Sequence, residues 1–462
     1  MNALDRRRFC HTDQIEFARF SGDRNPIHLD PVIARRTIAG QCIVHGAHSV
    51  LWVLNSLARV SVVAGRLRAR FLKPIFLDEE ISCVWNSQAG KVHLSVDGIT
   101  LVDITFSTAQ LPTRSALTLP PLPGRDTPAE RSFAECATLT SQAFDLHGDT
   151  HLAAALFPDA VRLYGQQTVN EIAALSYIVG MEVPGMHSLL SGLRFSLRET
   201  SGSSVYSVTE SDERFKQLRL AVAGHFLDAE VEAFHRPLPT RMPSLFGLRS
   251  RVHPGEHADA HALVIGGSRG LGEIVAKLIA AGGGRVIITY STGAEDAERV
   301  VDEIRNAGGQ CQAIQLTLGA YAAMPTNLPL INQLYYFATP KIFGRRTTPF
   351  NEDLYRNFRS VYVAGFETVC TWLIGRGNRC SALFPSSIVV EDPIPELAEY
   401  AKAKADGEAL CQRLNENHQI DILTPRLPRT VTDQTQSLLH TAGECPADVI
   451  APFVRRMTEL IK

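Results

Sequence analysis

Ile265-Gly266-Gly267-Ser268-Arg269-Gly270-Leu271-Gly272 is the stretch on which the fold of the C-terminal half turns. A short apolar run at 262–265 enters it. A segment of helical composition at 273–281 leaves it, with Ile274, Val275, Leu278 and Ile279 on one face. In a strand, glycine turn and helix of this kind, a pyrophosphate can approach backbone N–H groups at the positive end of the helix dipole. Four glycines within 266–272 are more than a bare turn uses. Working outward, apolar runs at 286–290, 312–316, 334–338, 381–384 and 420–423 alternate with helical stretches. That alternation predicts an α/β, Rossmann-type, doubly wound parallel sheet over 261–462.

Upstream of this block lie two proline-rich stretches, one holding Pro112, Pro120, Pro121 and Pro123, the other Pro237, Pro239, Pro243 and Pro254. Proline removes backbone donors and disfavours both helix and central strand, so 111–133 and 236–260 read as linkers. The blocks between them, 1–110 and 134–235, share a plan. Each has one long apolar helical segment (44–60 and 166–179) followed by β-rich runs such as 67–76 and 205–208. One helix with an antiparallel sheet is α+β, and its repetition points to a duplicated unit.

Composition narrows the function classes. The chain has 462 residues, 45% hydrophobic and 20% charged, which fits two or three folded domains. Lys+Arg 46 against Asp+Glu 48 leaves a net charge of −2, so no basic footprint points to nucleic acid or an anionic membrane. The 9 cysteines contain no C-x-x-C pair, which fits reduced thiols in a cytoplasmic protein with no metal site. No apolar run is long enough to span a bilayer, and a soluble protein is expected.

Two further groups of residues carry chemistry. Tyr400 and Lys404 stand four apart on an expected helix, with Ser387 upstream at a strand end. An ammonium on the same helix face can lower a phenol's pKa from about 10 and let it donate a proton near neutrality. Together with the glycine loop, these residues resemble the short-chain dehydrogenase/reductase family, in its 3-oxoacyl-thioester reductase branch. The resemblance implies that Ser387 polarises a carbonyl, that Tyr400 donates the proton, and that Lys404 tunes Tyr400 and holds the nicotinamide ribose. It also implies that Gly266, Ser268, Arg269, Gly270, Leu271, Gly272 and Thr430 contact the cofactor. Arg269 stands where NADP-preferring members place a base, and Tyr290-Ser291 replaces the acid that would grip an NAD ribose, so NADPH is expected over NADH. The chain departs from the family at Ile265, Thr317, Tyr336-Phe337-Ala338-Thr339 and Arg426, and at Tyr362, which aligns with the family's catalytic Asn.

The other group is Phe20-Ser21-Gly22-Asp23-Arg24-Asn25-Pro26-Ile27-His28-Leu29-Asp30. Asn-Pro enforces a turn that lets a carboxylate and an imidazole five residues apart converge, and such a pair can divide proton transfers around one water. Val44-His45-Gly46-Ala47 follows at an expected helix start, where the Gly46 N–H is unpaired and positively polarised. This block resembles the MaoC-like (R)-specific enoyl-CoA hydratases and dehydratases of the hotdog fold, whose Gly-Asp-x-Asn-Pro-x-His signature it matches without a gap. The resemblance implies Asp23 and His28 as the catalytic pair, with Asn25 ordering the loop and Gly46 as oxyanion donor. The second block looks like a hotdog repeat without the signature, with His187 structural, so the whole is expected to be a double hotdog followed by the reductase.

Read together, the sites are consecutive in one pathway: reduction of a 3-oxoacyl thioester, then dehydration of the (R)-3-hydroxyacyl thioester. The substrate is bound to CoA or to an acyl carrier protein. A homo-oligomer formed through the reductase domain is expected. The alternative is an active hydratase beside a reductase-like module that only binds nucleotide or oligomerises.

Overall fold

A computed structural model describes residues 2–109, 119–198, 204–318, 324–325, 327–342, 350–377, 379–416, 420–438 and 442–461. It divides into two compact units, Met1–Leu238 with Ser437–Leu439, and Pro239–Gln436 with His440–Lys462. Residues 111–118 of the first expected linker, 111–133, lie outside the described residues.

The first unit is built on one antiparallel sheet. Its first five strands are β1 (Asn2–Arg8), β2 (Ala64–Phe71), β3 (Glu80–Asn86), β4 (Lys91–Val96) and β5 (Ile99–Thr108). The second five are β6 (Gln142–Ala143), β7 (Ser188–Leu197), β8 (Val205–Asp212), β9 (Gln217–Ala223) and β10 (Leu227–His235). Their order, β1-β3-β4-β5-β2-β7-β10-β9-β8-β6, reads as the same five-strand plan from either end. The two halves meet where β2 pairs with β7, with Arg68 opposite Arg194. Side chains alternate as strand geometry requires: Leu67 and Ala69 of β2 point inward while Arg66, Arg68 and Arg70 face out.

Each half contributes one central helix, Gly46–Arg59 and Gln166–Tyr177, and both are buried along nearly their whole length. Val50, Leu51, Leu54 and Leu57 of the first share one hydrophobic cluster with Val169, Ile172 and Leu175 of the second. Full burial of each such side chain stabilises by about 1.5–3 kcal/mol. The two halves thus share one core.

The second unit holds β11 (His261–Ile265), β12 (Arg285–Tyr290), β13 (Gln310–Gln315), β14 (Gln333–Tyr336), β15 (Ser381–Leu383) and β16 (Asp421–Leu423). They form a parallel sheet in the order β13-β12-β11-β14-β15-β16. Helices Gly270–Ala281, Ala294–Asn306 and Pro446–Leu460 cover one face, while Phe366–Gly375 and Ala398–Glu416 belong to the other core. The strand order reverses between β11 and β14, the place where open α/β sheets form their crevice.

Three expectations are corrected. The run at 67–76 is not one strand: β2 ends at Phe71, and the chain turns through Pro74 to Asp78, which has a φ of 63°. The run at 334–338 leaves the sheet at Tyr336. The stretch 236–260, expected as a linker, is folded from 239 onward: Leu245 and Leu248 of a short helix are buried in the second unit's core. Buried Lys277 also donates to the Pro243 carbonyl at 3.0 Å while pairing with Glu303 at 2.8 Å. Apolar residues three apart at Met242, Leu245 and Leu248 gave this proline-rich stretch a face to bury.

Candidate active sites

In the first unit, helix His11–Ser21 ends at Gly22 in the left-handed region, φ 80°, and the chain turns sharply into Asp23. Asn25 caps the short helix Pro26–Leu29 by accepting the Ile27 N–H at 3.1 Å. Its amide also donates to the carbonyls of Gly180 and Gly185, each at 2.9 Å. The loop is therefore tied to the end of the second central helix, 155 residues away. Asp23 is buried; its Oδ2 accepts the Ser176 hydroxyl at 2.7 Å and its Oδ1 the Asn25 N–H at 3.1 Å. Contact with Gly180 is so close that a Cβ there would lie 2.1 Å from Asp23 Oδ1.

His28 donates through Nδ1 to the Ile43 carbonyl at 2.8 Å, which leaves Nε2 as its proton acceptor. Its ring stacks on that of His45 at 3.8 Å. Asp23, His28 and His45 each offer one polar atom within 4.8 Å of the others, a spacing a cation could also bridge although no metal site was expected. Asp23, His28, Gly46, Ser176 and Gly180 line one cavity of about 280 Å³, whose remaining wall is mostly apolar, with Val44, Phe71 and Leu189 among its residues. Gly46 opens the first central helix, so its N–H is one of the first-turn donors without an intrahelical acceptor. The structure thus brings together all four residues expected here.

Electrostatics separate the pair. Burial raises the Asp23 carboxyl to about 6 against the bonds from Ser176 and Asn25. Burial, with the Arg236 guanidinium, lowers His28 to about 4. At neutral pH His28 is an uncharged acceptor, and Asp23 titrates near enough to exchange a proton. Sequence reasoning missed Ser176, Gly180 and His45, together with Gln14, whose Oε1 accepts both the backbone N–H and Nδ1–H of His45 at 3.0 and 2.9 Å. His187, read as structural, has Nε2 4.0 Å from Glu130 Oε1 and lies outside the cavity lining.

In the second unit, the glycine loop joins β11 to the helix that starts at Gly270. Gly266 and Gly270 have φ of 76° and 60°, and a Cβ on Gly272 would lie 2.3 Å from the Gly266 carbonyl oxygen. The Gly266 N–H is held by Thr289 Oγ1 at 3.1 Å, and Ser268 is buried beside the helix start occupied by Leu271. The loop and helix N-terminus fit a dinucleotide's pyrophosphate. Arg269, expected to face a phosphate, is instead ion-paired to Asp433 at 2.6 Å. Thr430 is buried and bridges to Glu444.

Ser387 lies near enough to Tyr400 to favour its ionised form. The expected tuning of Tyr400 by Lys404 is corrected: burial pushes the phenol up to about 12, opposed by Ser387. Lys404 is buried, its ammonium donating to the Pro385 carbonyl at 2.6 Å and lying 3.9 Å from the centre of the Tyr362 ring, against 5.8 Å for the Tyr400 ring. Burial lowers it to about 7. Tyr362, at the position of the family's Asn, spends its hydroxyl on Thr339. Arg426 pairs with Glu408 and Glu391.

Residues 2–103 match the family model of the MaoC like domain, and residues 260–335 that of the short chain dehydrogenase. The chain carries a MaoC-like domain followed by a short-chain dehydrogenase domain. Among curated proteins, it is 41% identical over 58 residues to a probable tetrahydroxynaphthalene reductase of Zymoseptoria tritici, covering 13% of this chain and 22% of that one. Over 65 residues it is 38% identical to the 1-cyclohexenylcarbonyl-CoA reductase of Streptomyces collinus, covering 14% and 23%. The chain thus spans under a quarter of the length of these relatives. Among solved structures, it is similar to the oxidoreductase yciK from E. coli, with 20% identity and a TM-score of 0.40 over 45% of this chain and 92% of that one. It is similar too to a short chain dehydrogenase from Burkholderia cenocepacia J2315 in complex with NADP, with 23% identity and a TM-score of 0.37 over 44% and 91%. No helix among the described residues is long and apolar enough to cross a membrane.

Proposed function

We propose that this protein is a bifunctional enzyme, an (R)-specific enoyl-thioester hydratase/dehydratase in its first unit, read as a double hotdog, and an NADPH-dependent 3-oxoacyl-thioester reductase in its second. The observation that carries the reading is the convergence of Asp23, His28 and the Gly46 N–H on one largely apolar cavity. In the hydration direction, His28 Nε2 takes a proton from water as its oxygen adds to Cβ, and the Gly46 N–H holds the thioester oxygen while negative charge builds there. The protonated Asp23 carboxyl then delivers a proton to Cα, and the proton on His28 returns to Asp23 for the next turnover. Dehydration runs the same steps backwards.

In the second unit the glycine loop and the helix beginning at Gly270 would hold the pyrophosphate, and Thr430 the nicotinamide end. The cofactor supplies the hydride. Ser387 would orient the substrate carbonyl and Tyr400 protonate its oxygen. The acyl group would be carried by CoA or a carrier protein, and placing both sites on one chain raises each site's effective concentration of the other's product. Crotonyl-CoA hydration tests the first half: Asp23→Asn and His28→Ala should each abolish it with the circular dichroism spectrum unchanged, and full activity in either variant would move the chemistry elsewhere.

One observation favours a second reading for the other half. Lys404 is committed to Pro385 and the Tyr362 ring, and Arg269 to Asp433, which suits a domain that binds nucleotide without reducing a substrate. NADPH oxidation with acetoacetyl-CoA separates the two. A rate in the wild type that Tyr400→Phe removes supports the reductase, while equal rates in both support the binding module.

A further inference from the structure

The second unit places a carboxylate where its proposed ligand carries anions. Arg269 leaves the glycine loop between Ser268 and Gly270, at the start of helix Gly270–Ala281. Its guanidinium meets Asp433 Oδ2 at 2.6 Å, with the two side chains only 24% and 9% exposed. The partners come from two segments that leave the sheet at the carboxyl ends of strands, the loop after β11 and the chain that follows β16. Open α/β sheets bind their ligands outside those ends.

Asp433 is fixed by its own turn. The Thr432 N–H donates to Thr435 Oγ1 at 2.9 Å, the Thr435 hydroxyl donates to the Thr430 carbonyl at 2.6 Å, and the Val431 N–H reaches the Glu444 carbonyl at 3.1 Å. Thr430, proposed for the nicotinamide end, lies in the same turn, so in that reading the carboxylate is carried by a segment that borders the nucleotide. A carboxylate is favoured near a helix N-terminus, and with a guanidinium it forms a charge-assisted hydrogen bond. Those two attractions are also what draws a phosphate to such a place. The end of β12, where dinucleotide-binding sheets meet the adenine ribose, offers hydroxyls rather than charge: Ser291 and Thr317 bond at 3.2 Å. Of these groups Arg269 carries the charge that would read a 2′-phosphate, and Asp433 already holds it.

We infer that Asp433 is a specificity-determining residue of the nucleotide site: it occupies Arg269 as an internal counter-anion, so that a 2′-phosphate gains the guanidinium only by taking it from the carboxylate. The preference for NADPH over NADH is thereby held below what Arg269 alone would give. NADH lacks the ester, leaves the ion pair in place and forfeits nothing. The inference rests on the proposed nucleotide site and holds whether that unit reduces a substrate or only binds.

The test is a set of dissociation constants for NADPH and NADH, read from nucleotide fluorescence with the full-length protein, in the wild type, Asp433→Asn, Arg269→Gln and the double variant. Asp433→Asn should tighten NADPH by about tenfold, the order of one charge-assisted hydrogen bond, and leave NADH within about twofold. With Arg269→Gln already in place, Asp433→Asn should bring no gain for NADPH. An NADPH constant that is unchanged or weakened, equal gains for both nucleotides, or a gain that persists without Arg269 would each overturn the inference. Should Asp433→Asn fail to fold, Asp433→Ser is read by the same ratio. Binding of neither nucleotide by any of the proteins removes the nucleotide site and the inference with it, whereas wild-type binding that Asp433→Asn does not move removes the inference alone.

Discussion

Asp23 owes its properties to residues far along the chain. Ser176 supplies the hydroxyl on Oδ2, and Gly180 supplies room for Oδ1. Ser176→Ala removes a donor to the charged form, so the Asp23 midpoint should rise above its value of about 6 and, because hydration uses the protonated carboxyl, the alkaline limb of crotonyl-CoA hydration should move to higher pH. Gly180→Ala places a methyl where the carboxylate sits, and hydration should fall on the order of 100-fold, the size of a displacement near 1 Å, with the thermal midpoint little changed. Asp23, Asn25 and His28 were legible because their signature is local. Ser176 and Gly180 were not, since nothing near them in sequence marks a helix end that meets a carboxylate 153 residues away.

At the scale of elements, periodicity located both central helices and the parallel strands to within a few residues. It failed where the reading rested on one residue type alone: the prolines of 236–260 concealed the buried helix Leu245–Leu248. The first central helix also carries a residue with no proposed chemistry, His48, which stacks on Phe17 at 4.6 Å with both ring nitrogens unpartnered. Burial holds its pKa well below 6.5 in the folded state. The unfolded chain therefore binds the proton first as pH falls, so this stability is complete above about 6.5 and is lost progressively below it. His48→Phe keeps the ring and removes the titration, and its acid unfolding midpoint, followed by tryptophan fluorescence, should shift to lower pH.

Over the whole molecule, each unit has its own sheet and its own cores, and the chemistry proposed for one uses no residue of the other. Gly272→Ala should therefore abolish stabilisation by NADPH, worth about 2.7 kcal/mol at 100 times Kd, while leaving crotonyl-CoA hydration at the wild-type rate. A melting scan with and without NADPH, alongside the hydration assay, checks both outcomes. The fold class of each unit was readable from alternation and helix placement. The seam joining β2 to β7 was not, because pairing between distant strands leaves no mark in either one's composition.

That seam bears on how the two halves can be supplied. With one half bearing the acid and base and the other only their supports, exchange between the copies is no longer neutral: two copies of the amino-terminal half would lack the hydroxyl and the glycine gap, and two copies of its partner would lack the reacting groups. Supplied as separate chains, the two halves would have to be made in step, whereas a single reading frame makes matched supply automatic. Co-expressing the halves as unlinked polypeptides should restore turnover only when both are present.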